Sequence, residues 1–350
     1  MTSIALTAVA GYRRATRRRL GLFGLGLAAL LAAFVTDLAV GPGPATLGQV
    51  ISALIDPSAA DARLRLVVFD LRLPIALMAV LVGAMLGLAG AAMQTILNNP
   101  LADPFTLGVS AAASVGASLA IAFGWVLLPV GGTIAITTNA FVFALMACLA
   151  LFGLTKLRGV SAETMVLVGI ALLFTCNALL ALIQYRSNET QLQQIVFWIM
   201  GSLSRASFEK IGICVVALGI ALPWMLVRGW ALTALRLGDE RAESMGIKVD
   251  RLRLEILALV SLLAAISVAF VGAIGFVGLV GPHIARLAIG EDQRFFLPLS
   301  AATSAIILSL ASTLSKAVTP GIIYPIGMIT SLIGVPFFIS LILSIRSRGA

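Results

Sequence analysis

Long apolar stretches alternate with short polar connectors along almost the whole 350-residue chain. Crossing a hydrocarbon core of about 30 Å takes ~20 helical residues. Runs of that order lie near 20–40, 73–97, 105–126, 134–154, 164–185, 208–227, 254–274, 296–316 and 326–345. A tenth run, 276–289, is shorter and holds Pro282. A ladder of Gly272, Gly275, Gly278 and Gly281 leads into it, and Pro282 is followed by the chain's single histidine, His283, with Arg286, Glu291, Asp292 and Arg294 beyond. Glycine costs a helix about 1 kcal/mol relative to alanine. Within a bilayer that cost is offset where backbones pack closely. The ladder therefore predicts a closely packed, bendable membrane element that ends in a charged aqueous loop.

Composition fixes the class. The chain is 60% hydrophobic and 11% charged, with a mean hydropathy of +1.08, whereas soluble domains carry roughly 25% charged residues. It is an all-α, polytopic membrane protein. The net charge of +9 does not indicate nucleic acid, because the basic residues form short clusters between apolar runs and not one patch. Their distribution sets the topology. With ten spans and both termini inside, seventeen of the twenty-four Lys and Arg residues fall on the cytoplasmic side. Nine spans would put Arg346 and Arg348 outside. Ten is the better fit, and the eighth is then a half-length helix sheltered from lipid by its neighbours. Residues 20–35, behind Arg13–Arg19, imitate a signal peptide but lack a small-x-small cleavage site, so a retained first span is expected. Cys148, Cys176 and Cys214 lie singly in apolar runs and read as small buried hydrophobes.

The chain reads as one transmembrane domain, 1–350, with a cytoplasmic N-terminal tail, 1–19. Three loops carry more pattern than a connector needs. The outer loop 41–72 contains an amphipathic stretch, TLGQVISALI, followed by DARLRLVVFDLRLP. The outer segment 186–207 predicts a short surface helix. The cytoplasmic loop 229–253 is the most charged part of the chain. It predicts a helix over Asp239–Met245, with Asp239 as N-cap and Gly246 just past the end. The sequence has no phosphate-binding loop, no metal-ligand cluster and no nucleophile elbow. Asp37, near the outer end of the first span, is expected among headgroups. Transport against a gradient would draw its energy from a partner. The rival class, an ion-coupled secondary transporter, calls for intramembrane carboxylates that are scarce here.

Several blocks resemble the FecCD-type permeases, the membrane subunits of ABC importers for iron chelates and cobalamin. They are RLPIALMAVLVGAMLGLAGAAMQTILNNPLADPFTLGVS (72–110), FWIMGSL (197–203), LGDERAESMGI (237–247), GFVGLVGPHIARLAIGEDQRFFLP (275–298) and YPIGMITSLIGVPFFISLIL (324–343). The resemblance implies ten helices per subunit and the architecture of the vitamin B12 permease. It also implies a pore at a dimer interface (a homodimer in the first instance), two cytoplasmic ATPases that bind ATP and Mg, and a periplasmic substrate-binding protein. The protein would sit in the bacterial inner membrane, with no enzymatic activity or cofactor of its own.

By resemblance, Gly238, Asp239, Glu240, Arg241, Ala242, Met245 and Gly246 form the ATPase-coupling loop. Arg72 and Lys316 match basic positions that meet the binding protein. The pattern is broken at Ile75 and Tyr324, which turns attention to Arg63 and Arg65. Asn98, Asn99, Pro100 and Asp103 belong to the inner end of span 2 and either cap helices or line the cytoplasmic mouth. Pro282, His283 and Arg286 mark the inner end of span 8 in a structural role. Asn177 and Gln184 are polar members of span 5, a pore-lining helix by resemblance. Spans 2–5 and 7–10 hint at an inverted repeat. Among cargoes of similar sequences a ferric siderophore leads, with haem, cobalamin and oxyanions open.

Overall fold

The computed structural model describes the backbone of residues 2–346, apart from 42, 44, 59, 129, 130 and 320. Side chains are described between 16 and 340, apart from those same positions and Arg158. The charge expectations at Arg13, Arg14, Arg158, Arg346 and Arg348 lie outside the described side chains. All regular structure among the described residues is helical: α1 (Thr2–Ala39), α2 (Leu47–Ile55), α3 (Ala62–Arg65), α4 (Leu73–Ile96), α5 (Val109–Phe123), α6 (Gly132–Arg158), α7 (Ala162–Arg186), α8 (Glu189–Ile199), α9 (Phe208–Val227), α10 (Gly229–Leu235), α11 (Asp239–Ser244), α12 (Val249–Val271), α13 (Val277–Ile289), α14 (Gln293–Ala317) and α15 (Ile326–Arg346). Among the described residues, seven helices are long and apolar enough to span a membrane. Three shorter apolar ones, α5, α13 and the described part of α15, complete the set of ten.

The predicted surface helices are present as α2 and α8, each opened by a capping box, Thr46 with Gln49 and Asn188 with Gln191. Two boundaries differ from expectation. The tail 2–19 is the continuation of α1. The segment read as outer loop, DARLRLVVFDLR, is also helical, so Ala62–Ile96 is one 35-residue helix. Its Leu66–Arg72 stretch is π-helical. Pro74 has no N–H to give to the carbonyl four residues back and its ring would strike it; a wider π turn just ahead relieves that crowding.

Helix α4 is the central element. In its most apolar stretch 83% of residues are buried, against 11% in α7. Gly83 and Gly87, spaced as G-x-x-x-G, lie against the backbone and side chains of Ser300, Ser304 and Ala305 on α14, and Gly90 lies against the Gly278 carbonyl of α13. The Gly278 and Gly281 half of the ladder packs as predicted, against Leu86 and Ser304. The other half has a different task. Gly272 has φ +84° and ends α12, and residues 272–275 form a non-helical break before Phe276, at φ +68°.

The inverted repeat is visible as packing. Helices α4–α7 and α12–α15 each run long, short, long, long. The first helix of each set packs on the third of the other, α4 on α14 and α12 on α6. Each short helix, α5 and α13, is entered through a left-handed residue, Gly108 or Phe276. A glycine of each fourth helix, Gly169 or Gly334, receives the residue at that entry, Leu107 or Phe276. At 15 and 13 residues, these short helices reach only ~20–23 Å, so their starts lie within the bundle.

Candidate functional site

On the face expected to be cytoplasmic the chain builds the predicted short helix, α11. Its N-cap is Gly238 (φ +102°) and not Asp239, which occupies the first helical turn. The far end is a Schellman closure: Gly246, at φ +82°, donates to the Glu243 carbonyl and Ile247 donates to that of Ala242. Ala242 is fully buried and anchors the helix, while Glu240, Arg241 and Met245 are exposed.

Asp239 is free of capping duty and binds Arg253 of α12 through both carboxylate oxygens, at 2.7 and 2.9 Å. Arg253 is 4% exposed and also donates to two carbonyls, Ile96 at 3.0 Å and Val160 at 3.3 Å. One guanidinium thus ties α11 to the last residue of α4 and to the turn that opens α7. Sequence reasoning missed Arg253. In the sequence it is one of several charges, with Asp250, Arg251 and Glu255, at the border of the charged loop, and nothing singles it out.

A second tie runs from α10. Arg236 forms a two-bond ion pair with Glu291 and donates to Asn98 Oδ1 at 2.6 Å. Arg286 lies 3.5 Å from Glu291, donates to Gln94 at 2.7 Å and stacks on the Phe296 ring. Arg19 of α1 and Arg294 both pair with Asp292, whose carboxyl they hold below its usual range, chiefly through the Arg294 hydrogen bond. His283 meets the Phe337 ring edge-on and has no catalytic setting; Pro282 lies buried within α13.

The Asn98–Asp103 segment caps. Asn98, at φ +46°, takes the left-handed position after α4 and donates to the Thr95 carbonyl, while Asn99 donates to that of Gln94. This is a second Schellman closure. Asn99 Oδ1 accepts from Leu101, and the turn at Pro100 leads the chain back into the bundle. Asp103 corrects the expectation that the whole motif stays at the inner end. A Cβ on Gly278 would meet both the Leu86 carbonyl and Asp103 Oδ1, at 3.0 and 3.3 Å, which places Asp103 level with the middle of α4. Its carboxylate accepts from Phe105 and caps a 3₁₀ turn, Pro104–Leu107.

Asp103 also borders a cavity of about 660 Å³, shared with Phe105, Met200, Phe276, Met328 and Phe338. The walls are apolar and come from the break before α13, the end of α8 and α15. These irregular backbones are joined to each other: Ser202 donates to Val271, Ile326 to Gly201 and Gly327 to Met200. Asn177 and Gln184 do not line this cavity; Asn177 is exposed on α7 and Gln184 is half-buried.

The opposite face, expected to be the outer one, brings a correction. Arg72 and Lys316, expected to stand free for a docking protein, are 1% and 8% exposed. Lys316 pairs at 2.6 Å with Asp37, which is wholly buried and also accepts from Ser312 and Thr313. Asp37 therefore does not face headgroups. Arg72 donates to the carbonyls of Leu38, Ala39, Gly41, Gly43 and Ala45, closing the C-terminal end of α1 and the loop after it. Arg63 and Arg65 are the exposed cations nearby.

A bundle of ten apolar helices among the described residues, with the segments that lead into its two half-length helices bordering an apolar cavity and a short charged helix on one face, defines a membrane permease. The chain belongs to the FecCD transport family, which it matches over residues 6–344. It is 38% identical to a protein of Methanocaldococcus jannaschii provisionally named as an ABC transporter permease, over 96% of this chain and 98% of that one. It is 36% identical both to the vitamin B12 import system permease BtuC of Vibrio vulnificus and to the hemin transport permease HmuU of Yersinia pestis. Each match covers 80% of this chain, and 83% and 84% of those proteins. An inward-facing transporter assigned to the metal-chelate ABC type superposes with a TM-score of 0.78 at 29% identity, over 94% of this chain and 99% of the other. The chain is accordingly a multi-pass permease of the ABC importer type.

Proposed function

We infer that this permease carries a metal chelate, an iron chelate in the first instance, inward across a bacterial inner membrane, with both termini cytoplasmic. It works as a pair with a second copy of itself. A periplasmic binding protein delivers the cargo, and two ATPase subunits, holding ATP and Mg, drive the cycle. The observation that carries this reading is α11. Its exposed face (Glu240, Arg241, Met245) is available to a partner, while its buried side is fixed by Ala242 and by the Asp239–Arg253 pair. A rigid helix passes a displacement on where a flexible loop would absorb it. Arg253 passes it to the end of α4 and the start of α7.

The apolar cavity suits a cargo that must be released, since tight binding in the wall would trap it. The relatives named for vitamin B12 and hemin, and the metal-chelate transporter, support a large chelated metal. Ferric siderophore is the first cargo to test, against haem, cobalamin and an oxyanion. In reconstituted vesicles, uptake is expected to require the ATPase and to stop on combined Glu240→Lys and Arg241→Glu substitution. Uptake that persists without the ATPase and collapses with an uncoupler would overturn the reading in favour of an ion-coupled transporter.

A further inference from the structure

A crevice of about 440 Å³ lies on the cytoplasmic side between the end of α9, α10, residues 246–248 and the first turns of α12. Its wall carries Arg228, Lys248 and Arg251 with a single carboxylate, Glu255. Glu255 bridges both arginines, each at 2.9 Å. Three cations around one anion leave a net charge of +2 in a concave site. The first backbone N–H groups of α12 open there too: its N-cap, Lys248, makes no side-chain cap bond.

The approach to this crevice is apolar. Val216, Ile220, Trp224 and Arg228 follow at intervals of four along α9, so they form one slowly winding stripe. The three apolar members are 60%, 58% and 50% exposed. Val227, at 83%, and Trp230 of α10, at 63%, widen the apolar surface beside Arg228. A membrane-crossing stripe that ends in a tryptophan, an arginine and a basic crevice has the order of a phospholipid: acyl chain, interface, phosphate.

We propose that this crevice binds the phosphate headgroup of an anionic phospholipid, with its acyl chain along Val216, Ile220 and Trp224. Arg228 and Arg251 are already oriented by Glu255, and Lys248 completes the cradle. The alternative occupant is an acidic side chain of a docked protein, since Gly246 and Ile247 also border the crevice. The hydrophobic approach favours lipid, because a protein carboxylate has no use for three exposed apolar residues in line behind the cations.

The test is native mass spectrometry of the full-length permease released from nanodiscs of phosphatidylcholine with or without phosphatidylglycerol. Phosphatidylglycerol should be retained in preference. Each single Gln substitution at Arg228, Lys248 or Arg251 should weaken retention about fivefold, and the triple substitution by well over an order of magnitude. Arg228→Lys with Arg251→Lys should keep most of it. Thermal unfolding in pure phosphatidylcholine identifies any variant that has lost its fold, and the single Lys248→Gln substitution keeps the test open if the triple one fails. Equal retention of the two lipids, or retention unchanged in the variants, would falsify the site. Displacement of phosphatidylglycerol by millimolar inorganic phosphate would assign it to a free anion. Loss of ATPase co-purification with lipid retention intact would assign it to protein docking.

Discussion

Asp103 is a buried carboxylate whose Oδ1 accepts the Phe105 N–H and caps the turn that follows. Asp103→Asn keeps an acceptor for that bond and should be well tolerated, whereas Asp103→Ala strands the N–H at a cost of about 1–3 kcal/mol. Thermal melts in detergent check it, and an equal loss in both variants would count against the cap. Lys316 poses the same question for a charge. Removing it as Lys316→Met strands a buried Asp37 at a cost of about 3–5 kcal/mol, whereas Asp37→Leu with Lys316→Met should recover most of the loss. Neither residue revealed its role in the sequence. Asp37 and Lys316 stand 279 positions apart, and an isolated charge at a span end reads equally well as a headgroup anchor. Asn98 was more legible, because two asparagines and a proline after an apolar run already spell a helix stop.

Elements were read best where local chemistry decides them. The short helices α2, α8 and α11 follow from an amphipathic run, a polar-then-apolar segment and the glycines flanking 239–245, although the N-cap of α11 is Gly238 and not Asp239. The half-length α13 follows from Pro282 and a run too short to cross. The helical outer segment 62–72 was missed because its arginines and aspartates imitate a loop. Those charges sit on a helix that projects past the apolar band. The coupling of α11 to the bundle was missed because it rests on a tertiary contact, Asp239 with Arg253. Arg253→Lys removes the two-pronged geometry but keeps the charge, and Asp239→Asn removes the ion pair. Both are expected to leave ATPase co-purification intact while lowering transport per ATP hydrolysed by about tenfold, an energetic coupling of ~1.4 kcal/mol. Unchanged stoichiometry would show that force reaches α4 and α7 by another route. Helix packing gives a sharper stability test. A methyl group at position 90 would overlap the Gly278 carbonyl, so Gly90→Ala should cost several kcal/mol by forcing α4 and α13 apart. In Gly48→Ala, where nothing lies within 4 Å, the melting temperature should hardly move.

At the scale of the molecule, the two faces are built differently. The outer ends of α1, α4 and α14 are locked by buried groups, Arg72 on carbonyls and Lys316 on Asp37. The inner ends are joined by partly exposed ion pairs, Arg236 with Glu291 and both Arg19 and Arg294 with Asp292. Helix α7, with little of its surface covered, stands outside the core that α4 and α14 form. This division also limits where a delivering protein can engage. Arg72 and Lys316 are committed to the fold and cannot pair with an approaching surface without breaking it. Arg63 and Arg65, on the exposed α3 at the outer edge, can. Their charge acts mainly on encounter and orientation. Arg63→Glu with Arg65→Glu should therefore slow association of the binding protein at least several-fold in ~0.01 M salt, where the Debye length is about 30 Å. The difference should fade near 1 M, where it is about 3 Å. Surface plasmon resonance across a salt series gives both limits. A defect that persists at high salt would mean that α3 supports the fold of the outer face. If the slowing followed Arg72→Lys instead, Arg72 would have to leave its carbonyls on docking, and the outer lock would itself be a moving part.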